Sequence, residues 1–371
     1  MKNIRKVCVY LLLASVASGA GTALADDDHS RRLFIDRDVD TFVVLREGVK
    51  FPEGITANPR NGDIYVGTFE GGAENKLLRF DRRGRLEATR NFGITPLLGL
   101  EFDRVNKKVY IANVGNFVNL PSKIQRIAAN FNGSTAIEDV AEIPPVGAPA
   151  PRIVGNPDTS SDTIYFEAFA RVPNAMVLNK AGDLLYVSDS FQGAIFRISN
   201  PATCNPCNIE MINHDPLLAT AGFPPFGANG LALSHDEKTL FIANTGDDRV
   251  LKLDLTKPLL STDAVSIFAE SINGADGLAI DKRGRVWVAA NQADEVLALN
   301  KDGKIVARLG EFRGIRGNGT PNGLLFPASL VIVEDEIFVT NLALPLNGIA
   351  GDEPEEDVSR WTVSRLKMPH H

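Results

Sequence analysis

The chain has 371 residues, 39 Lys+Arg against 46 Asp+Glu, 44% hydrophobic and 23% charged residues, and 3 cysteines. A net charge of −7 gives no electrostatic case for binding nucleic acid or an anionic membrane surface. Three cysteines rule out a disulfide-dense scaffold.

The first 25 residues read as a secretory signal peptide. Lys2, Arg5 and Lys6 form a basic start, Val7 to Ala14 a short apolar run, and Ala23-Leu24-Ala25 a small-residue cleavage site. The run is too short for a membrane span. Cleavage leaves 36 Lys+Arg against 46 Asp+Glu in residues 26–371, a net of −10. The expected location is periplasmic or secreted. The mature chain is expected as a soluble monomer or small oligomer, acting on a small molecule and engaging neither nucleic acid nor membrane.

From residue 33 onward the chain repeats. LFIDRDVDTFVVLREG reads as N-terminal strand material. Six short strands of one shape follow: DIYVGT, KVYIAN, LLYVSD, TLFIAN, RVWVAA and EIFVTN. Each alternates apolar with aromatic or β-branched residues, the pattern of a packed sheet. Their aromatics are Tyr65, Tyr110, Tyr186, Phe241, Trp287 and Phe338, at intervals of 45, 76, 55, 46 and 51. A strand ending in a Gly/Asn/Asp-rich turn precedes each, as in PEGITANPRNG and ADGLAIDKRGR, and a further strand follows most of them. Units of this size that close on themselves predict an all-β, six-bladed β-propeller, a single domain over 26–371. Closure protects sheet edges. The N-terminal strand and the C-terminal WTVSRLKM are expected to complete the last blade.

The 76-residue interval holds a Pro-rich insertion, roughly 128–170, and GIRGNGTPNG at 314–323 is a second loop candidate. Cys204 and Cys207, in C-N-P-C, are expected to form a small structural disulfide after export, ahead of a redox or zinc pair. The acidic GDEPEED at 351–357 reads as a solvated loop.

Equivalent positions in a propeller lie at one distance from its axis, so one position can be compared six times. Counting back from each strand aromatic to the residue before the Gly-like position gives Glu53, Leu98, Asn174, Asn229, Asp276 and Ala328. Four of the six carry side-chain oxygens at the start of the innermost strand. Two carboxylates converging in a dry channel repel unless a proton or cation lies between them. Carboxylate and amide oxygens suit calcium, and the absence of thiol and imidazole argues against zinc or copper. The predicted central-channel metal site is therefore Glu53, Asn174, Asn229 and Asp276. Calcium is preferred on ligand type, with magnesium, manganese and zinc left open.

Here the sequence resembles the regucalcin/gluconolactonase family, relatives of diisopropyl fluorophosphatase and the paraoxonases. The residues that carry the resemblance are Pro52-Glu53-Gly54, Pro173-Asn174, Asn229-Gly230 and Asp276-Gly277. It implies a six-bladed propeller with one catalytic metal at the axis, and hydrolysis of lactones or related esters. Ala175 stands where several relatives carry Asp, and the second blade has no counterpart of the paraoxonase histidine dyad.

Other chemistries are thinly represented. No G-x-S-x-G elbow, Walker loop, G-x-G-x-x-G or H-E-x-x-H occurs. His29, His214, His235, His370 and His371 are expected in solvent, with only His214 near an active-site mouth. Asn113, Asp189, Asn244 and Asn341 are expected as turn caps.

The expected function is a metal-dependent lactonase-like hydrolase (gluconolactonase-like) in which the metal polarises the substrate carbonyl. Asp276 and Glu53 are the candidate catalytic residues, Asp276 with the added role of general base. The alternative is a non-catalytic binding propeller braced by structural calcium, with a propeller lyase as a third reading.

Overall fold

In a computed structural model of the chain, residues 33–117, 119–347 and 351–369 are described. The signal-peptide reading, His29, His370 and His371 fall outside them.

The regular secondary structure of the described residues is almost entirely β. Six antiparallel sheets succeed one another along the chain, five of four strands and one, the fifth blade, extended by a parallel fifth strand from the N-terminal end. Blade 1 is Pro52–Ala57, Ile64–Thr68, Asn75–Phe80 and Leu86–Gly93. The inner strands of blades 2 to 6 are Leu97–Asp103, Pro173–Leu178, Ala228–Leu233, Ala275–Ile280 and Pro327–Val333. Each inner strand packs against the next, and that of blade 6 packs against that of blade 1. The all-β six-bladed propeller predicted by the repeat is the fold found.

Closure uses both chain ends. The C-terminal strand Thr362–Lys367 pairs with Glu336–Asn341, and Asp40–Val44 pairs antiparallel on its outer side to complete blade 6. Phe34–Asp36 goes further and adds a parallel fifth strand to blade 5. At the axis, Thr340 Oγ1 donates to Glu53 O at 2.7 Å, joining blade 6 to blade 1.

The second strand of each sheet is largely covered on both sides, while outer strands such as Leu86–Gly93 and Val265–Glu270 are partly exposed. The core consists of six wedges between neighbouring blades, for example Tyr65, Leu77, Leu100 and Val109 between blades 1 and 2. The repeated aromatic fills these wedges: Tyr65, Tyr110, Tyr186, Trp287 and Phe338 are all buried. A seventh, smaller cluster of Phe326, Ala328 and Leu342 lies at the beginning of the inner strand of blade 6.

The insertion is shorter than the sequence suggested. Glu138–Glu142 is the outer strand of blade 2, so the excursion begins after it. It contains one hairpin, Arg152–Gly155 with Ser161–Ile164. Residues 314–323 likewise contribute to a short hairpin, Phe312–Ile315 with Pro321–Gly323. Pro and Gly mask short strands in a composition-based reading. Cys204 and Cys207 are joined, S–S 1.91 Å. The bonded loop docks on blade 2 through Cys207 N–H donating to Val140 O at 2.8 Å.

Candidate metal centre

What aims six side chains at the axis is a repeated backbone irregularity. In every blade the inner strand runs three residues against two on its partner. The extra residue falls at 53–54, 98–99, 174–175, 229–230, 276–277 and 328–329. Such β-bulges re-aim side chains. The first residue of each bulge is the ring residue identified in the sequence.

The second residue lies where neighbouring blades meet. A Cβ on Gly54 would come within 2.1 Å of Leu98 O, on Gly99 within 2.2 Å of Asn174 O, and on Gly230 within 2.1 Å of Asp276 O. Glycine is needed there for close approach of two backbones.

The four predicted ligands are deeply buried: Glu53 3%, Asn174 3%, Asn229 4% and Asp276 5% exposed. Each of the last three is tied to a residue that follows the second strand of its own blade. Asn174 Nδ2–H donates to Ser190 Oγ at 2.9 Å. Asn229 Nδ2–H donates to Thr245 Oγ1 at 2.9 Å. Asn291 Nδ2–H donates to Asp276 Oδ2 at 3.0 Å. Ser190 and Thr245 in turn donate to Ala228 O and Ala275 O of the following blade, each at 2.7 Å. Both ring asparagines thus spend an amide nitrogen on the surrounding layer, which leaves Oδ1 as the oxygen each can offer as a ligand.

Ser190, Thr245 and Asn291 escaped the sequence reading. The signal was present: all three stand four residues after the strand aromatic, where the other blades have Phe69, Val114 and Leu342. Polar supports occur only behind the polar ring residues of blades 3, 4 and 5. The backbone confirms the equivalence. Phe69 N–H donates to Phe51 O, Val114 to Pro96, Ser190 to Val172, Asn291 to Gly274 and Leu342 to Phe326, at 2.8–3.2 Å.

The electrostatics point to a missing positive charge. Glu53 Oε2 and Asp276 Oδ1 are buried without a hydrogen-bond partner. Burial first, then repulsion from Asp276, holds Glu53 well above the usual carboxylate range. Burial pushes Asp276 up to about 7, against the hydrogen bond from Asn291. Two buried carboxylates in mutual repulsion, each with an orphaned oxygen, form a strained arrangement that a cation relieves. The donor set of two carboxylates and two amide oxygens fits a hard divalent ion such as calcium.

Below the ring, two residues further along each inner strand, Ile55, Leu100, Met176, Leu231, Leu278 and Leu330 make an apolar collar, none more than 8% exposed. A cavity of about 690 Å³ includes Asn174 and Asn229 in its lining and reaches the hairpin turns at Arg104, Lys180 and His235. His235 is therefore on the face opposite the start of the inner strands. His214 ends the outer strand of blade 3, where its Nε2 contacts Gln192 O at 3.0 Å. Asn113, Asp189 and Asn244 cap turns, accepting from the N–H groups of Gly115, of Phe191 and Gln192, and of Asp247; Asn341 instead ties distant segments together, accepting from Leu325 N–H and donating to Thr362 Oγ1 and Ser364 Oγ.

Comparison with known proteins agrees with this architecture. A family model described as the SMP-30/Gluconolactonase/LRE-like region matches residues 221–310, which include Asn229 and Asp276. The family resemblance drawn from the motifs is thereby borne out. Lactonase drp35 of Staphylococcus saprophyticus is 35% identical over 91 residues, 22% of this chain and 26% of that protein. The match thus spans about a quarter of the relative's length. Among solved structures, luciferin-regenerating enzyme superposes with TM-score 0.59 at 13% identity, covering 90% of this chain and 96% of that one. A calcium-binding protein, regucalcin, from Agrobacterium tumefaciens gives 0.57 at 15% identity, covering 91% and 96%. At these identities the structural likeness concerns the fold.

Proposed function

We propose that this chain is an exported, divalent-metal-dependent hydrolase of lactones or related esters. One observation carries the reading. Glu53 and Asp276 lie buried at the axis, each with an unpartnered oxygen, beside two asparagines whose amide nitrogens are tied outward. The local match to a lactonase supports the reaction class.

Glu53, Asn174, Asn229 and Asp276 would hold the ion. When bound, a divalent ion supplies Lewis acidity toward a substrate carbonyl. The chain's own residues supply the rest. Asn291 fixes one oxygen of Asp276, which orients the other toward the ring. Asp276, the ring carboxylate with a free oxygen, is the residue we assign to accept a proton from water. Ser190 and Thr245 lock the amides, so the ring needs little reorganisation during reaction.

A second reading has its own support. The ring residues are only 3–5% exposed, as expected of a structural brace, and a binding propeller would need no more. The test is turnover on a panel of lactones and aryl esters after chelation, with calcium, magnesium, manganese or zinc restored. Turnover that returns with one metal, and is absent in Glu53→Gln, supports the hydrolase. Tight metal binding without turnover on any substrate gives the binding module.

A further inference from the structure

We infer that the lower axial cavity is a second ligand site, one that takes an organic monocation: a primary ammonium group carried on an apolar body, with Glu101 as its counter-ion. The inference does not depend on the reaction at the ring.

Three residues along each inner strand from the ring position, the six blades present Thr56, Glu101, Val177, Ala232, Ala279 and Val331, and all six line the cavity. The comparison that found the ring here isolates a single carboxylate in an otherwise uncharged layer. Ala279 belongs to blade 5, across the axis from blade 2, and Ala232 to blade 4 beside it. These small side chains leave space on the side facing Glu101. The cavity volume, about 690 Å³, falls within the range of roughly 300–1,000 Å³ that small-molecule sites occupy.

Glu101 differs from the other carboxylates of the inner strands that line this cavity. Asp103 accepts from the N–H groups of Val105 and Asn106, from Asn106 Nδ2 and from Tyr110 Oη. Asp281 accepts from the N–H groups of Arg283 and Arg285, from Arg285 Nε and from Trp287 Nε1. Both are spent on their own hairpin turns and second strands. Glu101 Oε1 accepts from Leu178 N–H at 3.0 Å, which leaves Oε2 for a ligand. Arg104, the base whose charge reaches Glu101, is exposed at the turn. A carboxylate set into an apolar wall is costly until a positive charge meets it.

The charge balance selects the ligand. A divalent ion in the ring would balance Glu53 and Asp276 and leave Glu101 uncompensated. A second such ion is poorly served here, because calcium takes about 6–8 oxygens and the side chains of this layer offer only Glu101 and the hydroxyl of Thr56. One ammonium group, with its own N–H donors, matches one carboxylate. Val177, Ala232, Ala279 and Val331 give an apolar body a surface to cover. Around the turns, Arg104, Lys180 and Lys282 are met by Glu237, Glu334 and Asp335, so the lower end of the cavity favours neither sign.

The test is calorimetric titration of the full mature chain in excess calcium, with 2-phenylethylamine, 2-phenylethanol and 3-phenylpropionate as probes. It is run at pH 8, above the value of about 7 to which burial raises Glu101. The amine is expected to bind at least about tenfold more tightly than the alcohol, and the acid more weakly than either. Glu101→Gln keeps an acceptor for Leu178 and removes the charge, so it should lose that selectivity with calcium affinity unchanged. Ala279→Leu should weaken the amine by filling the space across from Glu101, and Glu53→Gln should leave amine binding as it is. Equal binding of amine and alcohol, or a preference that survives Glu101→Gln, would overturn the inference. Loss of amine binding in Glu53→Gln but not in Glu101→Gln would overturn it by putting the cation in the ring. A second calcium bound by the wild type and lost in Glu101→Gln would overturn it in favour of a metal site.

Discussion

Asn291 donates to Asp276 Oδ2 at 3.0 Å, while Asp276 Oδ1 is buried with no partner at all. The amide holds one oxygen still so that the other faces the centre of the ring. Supports of this kind typically set metal affinity by about ten- to a hundredfold. Asn291→Ala is therefore expected to weaken calcium binding by roughly tenfold or more. Ser190→Ala and Thr245→Ala are expected to act in the same direction, with recovery in Ser190→Thr and Thr245→Ser. Calorimetric titration with calcium is the measurement. Unchanged affinity in all three alanine variants would mean that these residues only stitch neighbouring blades together.

Glu53 has no such support, since Phe69 occupies the supporting position in its blade. Its Oε2 is orphaned, and burial together with Asp276 disfavours its charge. In chelator, Glu53→Gln should therefore leave the fold as stable as before or more stable, by about 1 kcal/mol. In excess calcium the order reverses, because the variant loses the stabilisation that ligand binding to the native state provides. Thermal melts with and without calcium check both signs. Equal destabilisation in the two conditions would make Glu53 a packing residue.

Much of this centre could be read before any coordinates, for a physical reason. A closed ring forces equivalent residues to one radius, so spacing from Tyr65, Tyr186, Phe241 and Trp287 finds Glu53, Asn174, Asn229 and Asp276 without further information. The supports were overlooked because Ser, Thr and Asn after a strand look like ordinary turn residues. Only the contrast with Phe69, Val114 and Leu342 marks them. The outer strand Glu138–Glu142 was assigned to the insertion because EDVAE carries little apolar signal. Its burial comes from the neighbouring blade, through Val140 and Ala141. The attachment of Phe34–Asp36 to blade 5 depends on parallel pairing with a strand about 270 residues away, which local sequence patterning does not encode.

Glu101 gives a pH prediction away from the ring. It lines the lower cavity, accepts from Leu178 N–H at 3.0 Å, and burial pushes it up to about 7 from 4.5. A carboxylate whose folded pKa exceeds its unfolded value takes up a proton on folding, so its contribution to stability is lost as pH rises between the two values. Stability of the wild type relative to Glu101→Gln should therefore fall between about pH 4.5 and pH 7, and level off above. Partial exposure to the cavity discounts the full effect to roughly 2 kcal/mol. Gln keeps an acceptor for Leu178. Chemical denaturation of both proteins at pH 4.5, 6 and 8 measures it, and a pH-independent difference would show that Glu101 titrates normally.

The bulge glycines make the sharpest structural prediction. Gly230 lies so close to the next blade that a Cβ would stand 2.1 Å from Asp276 O, and it directly follows Asn229. Backbone on both sides leaves nothing flexible to yield, so Gly230→Ala must push blades 4 and 5 apart at the axis. A cost of about 3 kcal/mol or more is expected. Calcium affinity should fall with it, because Asn229 and Asp276 move away from each other. The same bulge position carries Ala175 in blade 3 and Ser329 in blade 6, where a Cβ is already accommodated. Ala175→Gly should therefore cost only the backbone entropy of a glycine in a strand, about 0.5–1 kcal/mol, and leave calcium binding intact. Denaturant melts and calcium titrations of the two variants separate the cases. If Gly230→Ala proves as mild as Ala175→Gly, the spacing of the blades at the axis is looser than this ring requires to hold an ion.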